Sequence, residues 1–285
     1  MTRPSFRLDG VDGSVGHAAI FVMLSVVSAL VVTAILKRST GANFIELGRG
    51  DIERQLTAKV GLIIAFVLLP TTTARTLFDE PLAAFGFSWD RGPALLFGGL
   101  LFGGALLTLT CLIIALIANA VSIDAAPWRG GQAKKILANL ALWASGAFVE
   151  EATFRGYVFI QLVLVWSFWP AALLSSAIFA AIHWPRGQRS RWGGIFAAMS
   201  GLMLCHSVIM FHSIWFAVAF HCAWNFFQSF VFGLNNSGGP PPSAFRSWSF
   251  TGPIWITGGD VGPEGSIVAT LLLVISWLGI AFLWA

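Results

Sequence analysis

Two adjacent glutamates interrupt a strongly apolar part of the chain. Glu150 and Glu151 lie in the run ALWASGAFVEEATFRGY, whereas nearly every other Asp and Glu lies in a loop or near the end of an apolar run. A charged side chain at bilayer depth costs at least a few kcal/mol, so such residues usually face a cavity and have a function. Glu151 and Arg155 are four residues apart, so they share one helical face and can form an ion pair.

Glu150 lies on a different face of the same helix, about 100° around its axis. If Arg155 neutralises Glu151, Glu150 remains as a carboxylate that can project into a site. The alternative is a buried glutamate–arginine pair whose only role is to fix helix packing.

Histidines interrupt two further apolar runs. His183 ends the run SSAIFAAIH, with Phe179 one turn earlier on the same face. The run HCAWN places His221 and Asn225 four residues apart on one face. A lone histidine in an apolar segment is more often a core residue, and His206 is such a weaker candidate. Together, however, these side chains could supply a base, a water-orienting group and oxyanion donors.

The composition indicates which elements must position these residues. Hydrophobic residues make up 56% of the 285 residues and charged residues only 11%, against about 25% charged in a soluble domain. The bilayer must therefore solvate most of the chain, and a spanning helix needs roughly 20 apolar residues. We predict an all-α, polytopic transmembrane helical bundle in a single domain, 1–285, with its motif core at about 136–234. Its eight segments are about 18–36, 58–78, 93–121, 136–154, 157–183, 192–211, 213–234 and 266–284.

Two features concern the loops and the breaks between these segments. The Trp169-Pro170 step is expected to kink or divide the fifth segment. The loop at about 235–265 contains NNSGGPPP and TGGDVGPEG, in which Gly and Pro exclude regular helix. Its Trp and Phe residues are too apolar for a solvated linker. We therefore predict a re-entrant or interfacial flap, with an ordinary amphipathic interfacial loop as an equal alternative.

The net charge of +4 is typical of basic cytoplasmic loops in a membrane protein. Loops one, three, five and seven hold most of the basic residues, among them Lys59, Arg129, Arg186 and Arg189. This excess predicts that these loops are cytoplasmic and that both termini lie outside. No basic run with interleaved aromatics suggests a nucleic-acid partner, so the lipid bilayer is the expected environment.

The residue types narrow the possible chemistry. A zinc motif of the His-Glu-x-x-His kind is absent. Ser145 and Ser200 lie in predicted spans, but neither has the Gly-x-Ser-Gly context of a rhomboid-like enzyme. Asp260 hints at an aspartyl protease, which would need a second membrane aspartate that the chain lacks. A water activated by a glutamate remains, with or without a metal.

Three short motifs resemble those of a known family. EEATFR at 150–155, FAAIH at 179–183 and HCAWN at 221–225 are similar to E-E-x-x-x-R, F-x-x-x-H and H-x-x-x-[ND] of the CPBP family. That family, also called Abi, groups type II CAAX prenyl endopeptidases with bacteriocin-processing and self-immunity proteins. The GPEG of the last loop also resembles bacterial members.

The resemblance implies a helical membrane fold around a conical catalytic cavity. It implies that Glu150 and His183 activate the hydrolytic water, and that His221 and Asn225 stabilise the oxyanion. Glu151 and Arg155 would shape the site by pairing, with Phe179 in support. Glu150, His183 and His221 could also form a His₂Glu zinc site. We favour a metal-free site, because Asn225 is a poor zinc ligand and the water needs only one base.

The function expected from these residues is an intramembrane endopeptidase. Its substrate would be a peptide or protein, lipidated or membrane-anchored, cleaved near the membrane surface. Two other functions stay open: a non-proteolytic scaffold or bacteriocin immunity protein, and a transporter that uses Glu150 and His183 as a proton relay. The complete motif set disfavours the first, and the lack of a visible repeat disfavours the second.

Overall fold

The computed structural model describes residues 13–118, 120–125, 132–184 and 191–284. The chain is mostly helical, as predicted. Its helices are α1 (Val15–Thr40), α2 (Phe44–Gly48), α3 (Ile52–Ile63), α4 (Leu69–Phe78), α5 (Gly92–Ile117), α6 (Gln132–Arg155), α7 (Tyr157–Trp166), α8 (Phe168–His183), α9 (Trp192–Phe211), α10 (Trp215–Phe226), α11 (Ile254–Thr257) and α12 (Ile267–Trp284). A π-helical turn, Ile64–Leu68, joins α3 to α4, and another, Phe227–Val231, extends α10. Three 3₁₀ turns are Leu82–Phe85, Gly259–Val261 and Pro263–Gly265.

Two strands depart from the all-α prediction. β1 (Ala120–Ala125) and β2 (Arg246–Thr251) pair in antiparallel register, with Ile123 opposite Trp248. β2 lies inside the predicted flap, and its Trp248 backbone N–H donates to the carbonyl of Phe232 at 2.9 Å. The pairing partners are more than a hundred residues apart, so local sequence patterns did not reveal them.

Within the described residues, four helical stretches are long and apolar enough to cross a membrane: Val15–Thr40, Ile52–Phe78, Gly92–Ile117 and Trp192–Phe211. Two shorter apolar helices are Phe168–His183 and Ile267–Ala281. The predicted fifth segment is divided into α7 and α8 at Ser167, whose φ is 73°. Pro170 falls in the first turn of α8, where its missing N–H breaks no helical hydrogen bond. The predicted total of eight segments is not confirmed.

The predicted orientation depended on basic residues in loops. Arg129, Arg186 and Arg189 lie outside the described residues. Lys59 lies inside α3 rather than in a loop. The orientation therefore stays a prediction.

Close helix packing positions the third motif. Gly99 and Gly103 of α5 form a small-residue pair four apart, the spacing that lets helix backbones approach closely in a membrane. A Cβ at either position would collide with the backbone of α10, at Phe216 and Phe220 respectively. α10, which carries His221, also packs against α6, and α6 packs against α3. The glycines of α5 therefore help to set the position of α10 and of the third motif on it.

The bend after the first motif also requires a glycine. Gly156 separates α6 from α7, and a Cβ there would collide with the carbonyl of Ala152. The bend ends α6 at Arg155 and turns the chain away directly after the last residue of the motif.

Candidate active site

The three motif segments meet around one cavity of about 430 Å³. The four predicted catalytic residues all contribute to its wall: Glu150, His183, His221 and Asn225. Phe179 lines it as well, together with aromatic side chains from several helices, namely Trp143, Trp184, Phe196, Phe220 and Trp224. The cavity therefore combines a polar centre with aromatic side chains in its wall, a combination that suits a small-molecule or peptide site. Its predicted conical form is not confirmed.

Glu150 lies between the two histidines. Its Oε2 is 3.5 Å from His183 Nε2 and 3.8 Å from His221 Nε2. The Glu150 side chain is 28% exposed, whereas its Oε2, the oxygen nearest the two histidines, is buried. A carboxylate at the edge of a cavity and close to imidazole nitrogens has the placement that a general base requires.

The other ring nitrogen of each histidine is held by an acceptor. His183 Nδ1 lies 2.9 Å from the carbonyl oxygen of Phe179, and His221 Nδ1 lies 2.8 Å from Glu151 Oε1. A carbonyl and an ionised carboxylate can only accept hydrogen bonds, so each Nδ1 carries a proton. Each ring then directs its Nε2 towards Glu150, and a hydrogen bond to the ionised carboxylate requires a proton on that nitrogen as well.

Glu151 serves two partners behind the cavity wall. Arg155 Nη1 donates to Glu151 Oε1 at 3.2 Å, and both side chains are fully buried. The ion pair expected from the four-residue spacing is therefore present. The same oxygen accepts from His221 Nδ1, a contact between residues 70 apart that the sequence did not predict.

Phe179 is an aromatic spacer between the buried ion pair and the cavity. The guanidinium carbon of Arg155 lies 4.2 Å from the centre of the Phe179 ring, within cation–π range. On the cavity side, the His183 ring centre is 4.1 Å from that of Phe179. Phe179 also supplies the carbonyl that binds His183 Nδ1. Its position one turn before His183 therefore fixes the ring plane and the tautomer of that histidine.

Asn225 is bound through its side-chain oxygen. Asn236 Nδ2 donates to Asn225 Oδ1 at 2.8 Å. The amide NH₂ group of Asn225 is then the end that can face the cavity. A donor at this place suits the stabilisation of a negatively charged oxygen.

The comparison with known families concerns the part of the chain that carries the three motifs. Residues 132–227 match the family model of the type II CAAX prenyl endopeptidase Rce1-like family. This segment is Rce1-like. All three motifs lie within the Rce1-like segment, so the resemblance predicted from them is confirmed. No curated protein matches the chain.

The match also places the chain in the membrane. Members of the Rce1-like family are integral membrane proteins, and this chain has four helices long enough to cross a bilayer. The chain is therefore a multi-pass integral membrane protein. The family implies a membrane protease that acts on a peptide or protein.

Glu264 lies outside the Rce1-like segment but lines the same cavity. It is 8% exposed, and its Oε1 accepts a hydrogen bond from the backbone N–H of Ser237. Burial raises the pKa of Glu264 above its usual range. Sequence reasoning noted GPEG only as a family likeness. The signal that could have identified Glu264 is a carboxylate flanked by Gly and Pro in the loop that follows the third motif.

Lys59 is a second residue that sequence reasoning missed. A Cβ at Gly146 would lie 3.2 Å from Lys59 Nζ, so the ammonium rests against α6 one turn before Glu150. Trp143 and Glu150, which flank Gly146 along α6, both line the cavity. The positive charge therefore lies on the face of α6 that carries the candidate base.

We expect Lys59→Gln to lower the rate of substrate turnover about tenfold, because the ammonium favours the ionised form of Glu150, which is the form that accepts a proton. A unit charge about one helical turn away is worth about 1–2 kcal/mol in a partly solvated site. Lys59→Arg keeps the charge and should retain most of the activity. Steady-state turnover by the two variants measures the effect. Equal turnover by Lys59→Gln and the parent protein would show that the ammonium does not act on the site.

The weaker sequence candidates have other partners. His206 Nδ1 accepts from Trp277 Nε1 at 3.2 Å. Ser200 lines the cavity, but its hydroxyl donates to the carbonyl of Ala197 at 3.0 Å. Ser145 donates in the same way to Ala141 at 2.6 Å. Neither serine hydroxyl is directed at a base in the described part of the chain, so the geometry does not favour a serine nucleophile.

The zinc hypothesis involved Glu150, His183 and His221. Among the residues that the structure describes, no group of three or more His, Cys, Asp or Glu side chains is arranged to hold a metal ion. The three side chains converge, with Glu150 Oε2 at 3.5 Å from His183 Nε2 and 3.8 Å from His221 Nε2. The zinc hypothesis for these residues therefore stays a prediction.

Proposed function

We propose that the chain is an intramembrane endopeptidase that hydrolyses a peptide bond near the membrane surface, with Glu150 as the base that activates water. One observation carries the proposal: a partly exposed carboxylate, faced by two oriented histidines, in the cavity of an Rce1-like segment. A fully buried or fully paired glutamate could not take a proton from water as readily.

The reaction begins with a water molecule bound beside Glu150. Glu150 takes one proton from this water while the water oxygen attacks the carbonyl carbon of the scissile bond. The carbonyl π electrons move to the oxygen, which becomes an oxyanion. The proton then passes from Glu150 to the leaving nitrogen as the carbon–nitrogen bond breaks. His183, 3.5 Å from Glu150, shares the transferred proton and holds the carboxylate in place.

The oxyanion is stabilised by donors of the third motif. The Asn225 NH₂ group donates to it, and so does His221 Nε2 when that ring is protonated. The buried Glu151 carboxylate stabilises an imidazolium at His221, since it already binds the Nδ1 proton. Donors of this kind act strongly in a site that excludes most water.

The cavity wall suits an apolar peptide segment. Trp143, Phe196, Phe220 and Trp224 surround the polar centre and offer aromatic surface to hydrophobic side chains or a lipid chain. The proposed partners are therefore a membrane-associated peptide or protein, with or without a lipid anchor, and the bilayer itself. No nucleic-acid partner is proposed.

The proposal is tested by incubating the purified protein, reconstituted in liposomes, with peptide libraries that do and do not carry a lipid anchor. Mass spectrometry of the products should reveal hydrolysis at a defined bond, and the product with a new carboxylate should carry oxygen from labelled water. A Glu150→Gln sample reconstituted in parallel controls for contaminating proteases. If the parent and the variant degrade the library equally, the protein is not the peptidase.

The same assay addresses the metal. We expect chelator-washed protein to keep its activity, because a glutamate base needs no Lewis acid to take a proton from water. Elemental analysis of the washed, active protein is the second measurement. Stoichiometric zinc together with activity that a chelator abolishes and zinc restores would reverse this expectation. It would then assign Glu150, His183 and His221 as ligands.

A further inference from the structure

The loop that follows α10 reaches back to the third motif. Asn236 and Ser237, at the start of this loop, line the cavity together with Val261 and Glu264 from its far end. All four lie beyond the Rce1-like segment, which ends at residue 227. The loop is thus part of the wall around the motif residues.

Asn236 decides which end of the Asn225 amide faces the cavity. An amide presents an oxygen acceptor at one end and two N–H donors at the other. Asn236 Nδ2 donates to Asn225 Oδ1, which leaves the donor end for the cavity. A reversed amide would direct a lone pair at the developing oxyanion and destabilise it.

Asn236 itself is held in a tight turn. Its backbone N–H donates to the carbonyl of Gly239 at 2.9 Å, and Gly239 N–H returns the bond to the Asn236 carbonyl at 2.8 Å. Of the two residues between them, Ser237 has a φ of 48° and Gly238 a φ of 78°. A left-handed conformation is unfavourable for a residue other than glycine and persists only when its surroundings enforce it.

The far end of the loop enforces this turn. The Glu264 carboxylate accepts the backbone N–H of Ser237, and the carbonyl of Val261 accepts that of Gly238 at 3.1 Å. On the other side, the fully buried Gln228 donates from Nε2 to the carbonyl of Asn235 at 2.6 Å. The turn is therefore fixed from both directions.

We propose that Asn236 is a positioning residue of the peptidase, which orients the Asn225 amide as an oxyanion donor, and that Glu264 holds Asn236 in place through the backbone of Ser237. The inference rests on the proposed function, because it assigns the donor role to Asn225. It extends the catalytic machinery from the three motifs to the last loop.

Asn236→Asp provides the sharpest test, measured with the full-length protein in liposomes on a peptide that the parent cleaves. An aspartate at 236 can only accept, so Asn225 should turn its NH₂ towards it and its oxygen to the cavity. We expect kcat to fall about 100-fold with little change in KM, the usual loss for one oxyanion donor. Asn236→Ala removes the hydrogen bond to Asn225 without adding an acceptor, so kcat should fall only about tenfold. A larger loss of kcat in Asn236→Asp than in Asn236→Ala supports the role in amide orientation. A merely structural role predicts the opposite order, because aspartate is closer in shape to asparagine than alanine is.

A double variant separates amide orientation from the added negative charge. If Asn236→Asp acts through Asn225, it should have no further effect on kcat in an Asn225→Ala background. A further loss there would mean that the charge acts directly, and would overturn the proposal.

Glu264 is tested by a matched pair. Glu264→Gln keeps an oxygen that can accept the Ser237 N–H and should lose less kcat than Glu264→Ala, which should resemble Asn236→Ala. Equal loss in both variants would show that the carboxylate acts by its charge. Parental kcat in Asn236→Asp would remove this inference alone, while a parent protein without hydrolysis would remove the proposed function and the inference with it.

Discussion

Replacing Glu150 by glutamine is expected to lower kcat/KM by about 10³-fold, within the usual range for the loss of a general base. Glutamine has nearly the same shape as glutamate and can still bind water, but it cannot take a proton at neutral pH. The measurement is steady-state hydrolysis of a peptide that the parent cleaves, with both proteins in liposomes of one composition.

The structure predicts that Glu150→Gln folds normally. Glu150 is 28% exposed and lies outside the buried pair of Glu151 and Arg155. Thermal melting in detergent should therefore match that of the parent, so that lost activity reports on chemistry. Glu150→Asp keeps a carboxylate but withdraws it by one methylene, and should retain intermediate activity. Hydrolysis by Glu150→Gln at the parental rate would mean that another group is the base.

The different placements of Glu150 and Glu151 could be predicted from the sequence, because helical periodicity depends only on neighbouring residues. A four-residue spacing predicts that Glu151 meets Arg155, and one-residue spacing predicts that Glu150 points elsewhere. The structure has this arrangement: Glu151 is fully buried with Arg155, and Glu150 faces the cavity. The same reasoning placed Phe179 beside His183 and His221 on the face of Asn225.

Contacts between distant parts of the chain could not be predicted in this way. The hydrogen bond from His221 to Glu151 depends on how α10 packs against α6. The role of Glu264 depends on a turn at Ser237 whose left-handed backbone is set by the opposite end of the loop. Gly and Pro identify such a loop as irregular, but they do not specify which of its residues return to the site.

The membrane segments show a similar limit. Length and hydropathy identify α1, α5 and α9, which are continuous apolar helices. Length and hydropathy are less informative for α6, where polar site residues lower the mean hydropathy. The same holds at Ser167, where one predicted segment becomes two helices. The residues that create the site therefore also weaken the signal for the helices that carry it.

Arg155→Ala is expected to destabilise the protein by about 3–5 kcal/mol, because it leaves the Glu151 carboxylate buried without its countercharge. Both side chains are fully buried, and Arg155 also packs on the Phe179 ring at 4.2 Å. The variant should melt at a lower temperature than the parent in the same detergent. Arg155→Lys keeps the charge but not the planar contact with the Phe179 ring. Its melting temperature should therefore lie between those of the parent and of Arg155→Ala. Parental melting of Arg155→Ala would show that the pair contributes no net stability.

The charge-swapped double variant Glu151→Arg/Arg155→Glu separates the two roles of Glu151. The swapped side chains can still pair across one helical turn, so part of the stability lost in Arg155→Ala should return. Activity should not return, because an arginine at 151 donates where His221 Nδ1 needs an acceptor. His221 would then lose the partner that fixes its tautomer and stabilises its protonated form. Melting temperature and kcat, measured on one preparation, should therefore diverge in this variant. If kcat recovers together with stability, the Glu151 carboxylate acts only on helix packing, and the orientation of His221 must come from elsewhere.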